Sequence, residues 1–114
     1  FKISKNQENE KKKIDEIIES LRIAVRPLNK TDIKNRKLPN QTTGLVITKI
    51  ANNSPLANSI EINSIIIEAQ KKKIKSSDGL RKVIDEVLNS NQKTVLLAIY
   101  NNLNQRRYIG IKLD

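Results

Sequence analysis

A chain of 114 residues, 37% of them hydrophobic, suits one domain with a modest core, and that core must be aliphatic because Phe1, Tyr100 and Tyr108 are its only aromatic residues. The absence of cysteine and histidine excludes disulfides, thiolate metal sites, the usual general base and the commonest metal ligand. A formal charge of +10 admits a nucleic-acid or anionic-membrane partner, but the cations are scattered and have no stacking aromatics beside them, so biased composition explains the excess.

No segment is long and apolar enough to span a membrane. The chain has no methionine and begins at Phe1, which reads as a fragment or a processed form; no signal peptide is visible. Asn6 to Lys13 is almost wholly polar. Ile14, Ile17, Ile18 and Leu21 then follow helical spacing, predicting a short amphipathic helix. Residues 1–19 therefore read as a linker or helical arm, and residues 20–114 as the domain proper. Leu21 to Leu28 reads as a strand with Ile23 and Val25 on one face and Pro27 near its end. Asn29 to Thr43 reads as a long polar loop, with a helical turn near Thr31-Asp32-Ile33.

Gly44 to Ile50 is a strand, and Asn53-Ser54-Pro55-Leu56-Ala57 reads as a capped turn of helix, since serine caps orphan amides and proline fits the first helical position. After the turn at Asn63-Ser64, three consecutive isoleucines in Ile65–Ala69 predict a strand buried on both faces. Lys71-Lys72-Lys73 occupies the next turn. Ser76-Ser77-Asp78 opens a helix with a cap and an acid at the positive end of the dipole. Its apolar face is Leu80, Val83, Ile84, Val87 and Leu88, and Asn89-Ser90-Asn91 ends it. Val95 to Tyr100 and Tyr108 to Leu113 are strands joined by an asparagine-rich turn at residues 101–104.

The ordered set carries a resemblance. Asn63-Ser-Ile-Ile-Ile-Glu-Ala-Gln-Lys-Lys-Lys-Ile-Lys-Ser-Ser-Asp-Gly-Leu80, with Ser54-Pro55-Leu56-Ala57 before it and Arg106-Arg107-Tyr108 opening the last strand, resembles the PDZ domains of the HtrA/Deg (Do-like) serine endoproteases, most of all their second, C-terminal PDZ domain. The resemblance runs from Ser20 to Asp114. It implies an α+β fold: a small, partly open β-barrel or sandwich of five to six strands with two helices, in the circularly permuted strand order of bacterial PDZ domains.

The resemblance also implies a site. In PDZ domains backbone amides of a loop hold a peptide's C-terminal carboxylate, and the peptide then adds to the following strand. By position that loop and strand are Ser20, Leu21, Arg22, Ile23, Ala24 and Val25, where serine and arginine replace the two glycines of the family's motif. Positive φ at Arg22 would be strained, while its guanidinium could instead add a charged contact to a carboxylate. The second groove wall is the helix after Ser77, with Leu80, Ile84 and Val87 toward the ligand. Tyr108-Ile109-Gly110-Ile111 looks more like the family's loop but lies in the closing strand.

The expected function is a non-catalytic PDZ module of a periplasmic HtrA/Deg-type protease, binding C-terminal or extended segments of unfolded proteins for substrate capture, regulation or assembly. It needs no cofactor or metal, and without histidine it holds no Ser-His-Asp triad of its own. The alternative is the same fold with a degenerate carboxylate loop, contacting neighbouring protease or PDZ domains of the parent or other subunits. A remote third reading puts nucleic acid on Lys71, Lys72, Lys73 and Lys75.

Overall fold

The structure, a computed structural model, describes residues 15–113. It is an α+β arrangement of seven strands and two helices: β1 (Glu16–Ile18), β2 (Ile23–Pro27), α1 (Lys30–Arg36), β3 (Leu45–Ile50), β4 (Ile65–Ala69), β5 (Lys72–Lys73), α2 (Ser77–Asn89), β6 (Thr94–Tyr100) and β7 (Arg106–Lys112). All pairings are antiparallel, in the order β1-β2-β3-β4-β6-β7, with β5 set against β4; the sheet is not closed. Among the described residues there are thus seven strands, not the expected five to six. Two of them are short: β1 has three residues and β5 has two.

β4 explains the sheet's two-sided burial. Side chains alternate along a strand, so Ile66 joins the main core while its neighbours Ile65 and Ile67 join a second cluster with Val46 and Ala98 on the other face. α2 covers the main core with Leu80, Val83, Ile84 and Val87. Its first turn is capped by Ser76, whose Oγ accepts from the Gly79 amide. The helix ends where the sequence places it, while Leu88 is half-exposed at the edge of the stripe. Ile111 in β7 and Leu113 just past its end are buried, and Ile109 packs against the same cluster, as their alternation requires.

Three local expectations change. The helical spacing at residues 14–21 does not give a helix: residues 16–18 are a strand and 19–22 a turn, while Ile14 lies outside the described residues. A hairpin buries Ile18 and Leu21 as well as a helix would, and β-branched isoleucines favour strands. Ile17 consequently faces outward. The Ser54-Pro55 segment makes a series of turns, not a regular helix, although Ser54 Oγ does accept from the Leu56 amide at 3.0 Å. The turn expected near Thr31 lengthens into α1 because Asn29 and Asp32 form a reciprocal capping box.

Candidate functional site

The structure brings the predicted loop, strand and helix together. β2 and α2 lie on either side of one slot, and β1 occupies it. β1 pairs antiparallel with β2 in the register Glu16↔Val25, Ile17↔Ala24 and Ile18↔Ile23. α2 packs against β1 as well as against β2 and β6. The edge of β2 expected to receive a peptide is therefore filled by the chain's own residues.

β1 is held by side chains on three sides. Ile18, 1% exposed, enters the main core with Leu80 and Ile84. On the helix side, Arg81 Nη2 donates to the Ile17 carbonyl at 2.5 Å, and Ser77 Oγ contacts the Glu16 carboxylate. Arg81 is itself steadied by Asp78 at 3.1 Å. The Asp15 carboxylate accepts from Thr48 Oγ1 at 2.7 Å, a bond that passes over β2 to β3. Glu16 lies at the N-terminal end of α2, where the helix dipole favours an anion.

The loop is organised by the same hairpin. The Leu21 amide donates to the Ile18 carbonyl at 3.1 Å and the Arg22 amide to the Glu19 carbonyl at 3.2 Å. Two amides of the expected carboxylate nest are thus engaged internally. Arg22 has φ 53°, the left-handed conformation that favours glycine. Its guanidinium donates to the Asn53 carbonyl at 3.1 Å instead of facing the slot. The 51–56 turns clamp the loop from behind: the Ala51 amide donates to the Arg22 carbonyl and Ser54 Oγ to the Leu21 carbonyl.

The remaining predicted residues divide by exposure. Leu21, Ile23, Ala24 and Val25 are buried, while Ser20 and Arg22 are exposed. Leu80, Ile84 and Val87 are buried core residues; Leu80 and Ile84 share their cluster with Ile18. Three residues that hold the occupant were not singled out for binding: Thr48, Ser77 and Arg81. Ser77 carried a signal as a helix opener, whereas nothing in the sequence marks Arg81.

Two neighbouring features complete the surface. At the far end of β2, Arg26 and Asp32 form a bidentate pair at 2.7 and 2.9 Å, fixing α1 to the strand. The Arg26 hydrogen bonds, helped by the Asn29 amide, outweigh burial and hold the Asp32 carboxyl below its ordinary range. On the outward face of β1, exposed Ile17 lines a shallow apolar depression of about 500 Å³ with Ala24, Ala51 and exposed Ile62, rimmed by Arg22 and Lys49. Lys71, Lys72 and Lys73 are exposed, and Lys72 pairs with Glu86 at 3.2 Å. Among the described residues no helix is long and apolar enough to cross a membrane.

No protein-family model matches the chain, and no curated protein matches it.

Proposed function

We propose that this chain is a non-catalytic protein-interaction module, similar to the PDZ domains of HtrA/Deg-type serine proteases, which binds extended polypeptide segments by adding them as a strand in the slot between β2 and α2. On this reading the strand order is the circularly permuted one of bacterial PDZ domains. The module serves a periplasmic protease by capturing unfolded segments or positioning neighbouring domains. One observation carries the reading: the slot accommodates an antiparallel strand on β2 with α2 packed against it, because residues 16–18 lie there in that manner. Backbone pairing supplies most of the affinity in such a mode, and pockets beside it supply selectivity.

The loop geometry refines the binding mode. While β1 is docked, the Leu21 and Arg22 amides donate to carbonyls of the hairpin; when an incoming segment displaces β1, its own backbone carbonyl takes the place of that of Ile18, so an internal extended segment serves as well as a chain end. Ordering a flexible peptide costs roughly 2–5 kcal/mol, so affinity for a lone peptide is modest. The test is a titration of the chain with two peptides ending in an aliphatic residue, one with a free carboxylate and one amidated, at up to millimolar concentration. Amide shifts along β2 and α2 for both, with similar affinity, are expected. A strong preference for the free carboxylate would reject the internal-segment mode. No shift on β2 with either peptide, in the parent and in an Ile18→Asp chain whose β1 is released, would reject strand addition.

A second reading rests on the depression around Ile17 and Ile62, which are 51% and 48% exposed. Paired isoleucines at that exposure suit contact with a neighbouring domain or subunit of the parent. Ile17→Lys with Ile62→Lys would then abolish that association and leave peptide shifts on β2 unchanged.

A further inference from the structure

Residues 15–18 are more than a strand that closes the sheet. Each of their contacts is one that a bound peptide would make. The Ile18 side chain is buried in the aliphatic cluster that includes Leu80 and Ile84, and its carbonyl takes the amide of Leu21. Two positions earlier, Glu16 meets Ser77 at the start of α2. Between them, Ile17 presents its carbonyl to Arg81 and its side chain to solvent. The main chain of residues 16–18 lies antiparallel on β2. The anchoring residues Ser77, Arg81, Leu80 and Ile84 belong to α2, about sixty positions along the chain, so the hairpin does not by itself explain them.

We propose that β1 is an intramolecular ligand of the slot, that it competes there with segments of partner polypeptides, and that its own pattern reports the slot's selectivity: an extended segment with an acidic residue two positions before a buried aliphatic one. This rests on the interaction reading above and deepens it.

The physical basis is the balance that holds β1. It is short, lies at the end of the sheet and has one deeply buried side chain among its three residues. Such an element opens at much lower free energy than the sheet centre. Tethering through the four-residue turn gives it a high effective concentration, so free peptides compete poorly until β1 is weakened or a partner binds through additional contacts. The acidic preference follows from Ser77 and the positive end of α2, which together favour a carboxylate at the Glu16 position. The aliphatic preference follows from the closed apolar surroundings of Ile18.

The test uses the full chain carrying Ile17→Cys and Ala24→Cys. These positions face one another across β1 and β2, and the natural chain has no cysteine to interfere. Opposed Cα atoms in antiparallel strands lie within the range a disulfide spans. The probe is the amidated peptide Lys-Lys-Ile-Asp-Glu-Ile-Ile, the sequence of residues 12–18, with two control peptides in which its glutamate is lysine or its last isoleucine is serine. The reduced chain is expected to bind the probe at least tenfold more tightly than the oxidised chain, and each control is expected to bind at least fivefold more weakly. A full chain with Glu16→Lys, a substitution at an exposed position, is expected to bind the probe several-fold more tightly than the parent. Equal binding by reduced and oxidised chains, or by the probe and its lysine control, overturns the proposal. If the cysteine chain does not fold, Glu16→Lys decides alone: unchanged probe affinity overturns it. Should other extended peptides shift β2 while the probe does not, only this inference falls; if none shifts β2 in any chain, the interaction reading falls with it.

Discussion

Truncating Ile18 to alanine measures how firmly β1 is bound. Ile18 and Ile66 are both almost fully buried in the main core, at 1% and 0% exposure. Either truncation removes three carbons, worth about 2.4 kcal/mol of transfer free energy. At Ile66, in the middle of the sheet between β3 and β6, the backbone cannot leave, so a cavity term adds and the expected loss is about 3–5 kcal/mol. At Ile18 a second response exists: β1 can let go. Its docking energy combines the Ile18 burial and the ladder hydrogen bonds, at about 1 kcal/mol each, against ordering three residues at about 1.5 kcal/mol each, and leaves about 1–2 kcal/mol. The loss on Ile18→Ala cannot exceed that ceiling. Urea unfolding of the two variants separates the cases. We expect Ile18→Ala to lower stability by about 1–2 kcal/mol with a reduced m-value, because its native state has already exposed the slot. A loss of 3 kcal/mol or more with an unchanged m-value would refute the reasoning and make β1 an integral part of the core.

Three other outcomes follow from the packing. A Cβ at Gly44 would lie 2.7 Å from the Ile66 carbonyl oxygen and 2.8 Å from Ile65 Cγ2, so Gly44→Ala should cost about 1–3 kcal/mol in urea unfolding. Arg36 donates to the Asn63 and Asn101 carbonyls at 2.6 and 2.7 Å and to Asn104 Oδ1 at 3.0 Å, tying α1 to two turns. Its replacement by alanine should cost about 2 kcal/mol, and lysine should recover less than half, because a point charge cannot span three acceptors. The Asp32 carboxyl is held below its unfolded value of about 3.9, first by the Arg26 hydrogen bonds; its contribution is complete above that value and fades as pH falls through the lower folded value. Urea midpoints of the parent and Asp32→Asn should therefore differ most near neutrality and draw together as the pH falls below the unfolded value; a constant difference would remove the ion pair as the cause.

Much of the fold was legible because it is specified locally. Ile65-Ile66-Ile67 announced a strand buried on both faces, and both faces are covered. Ser76 with Leu80, Val83, Ile84 and Val87 announced α2, and the cap and stripe stand as read. Asn104 takes the positive φ expected of a turn asparagine. The turns at residues 54–60 were harder: Ser54 caps as expected, but its hydroxyl also donates to Leu21, in a segment more than thirty positions earlier. α1 exceeded expectation because Asp32 serves both the cap and Arg26, and only the first partner is a sequence neighbour.

The site shows the same division. Its walls, Leu21 to Val25 and the helix bearing Leu80 and Ile84, were nameable from order and spacing. Its occupant was not. Ile17, Ile18 and Leu21 satisfy a helical period and a hairpin equally, since either conformation can bury Ile18 and Leu21 on one side. What separates them is a surface supplied from elsewhere: α2 packs on β1 and brings Leu80 and Ile84 into the same buried cluster as Ile18, and Arg81 donates to the Ile17 carbonyl, across more than sixty residues. The sequence alone determined which residues are apolar, where helices are capped and where turns open. Tertiary packing alone decided that the segment before β2 is a strand lying in the slot, because a short segment takes the conformation whose apolar side and backbone groups its distant neighbours complete.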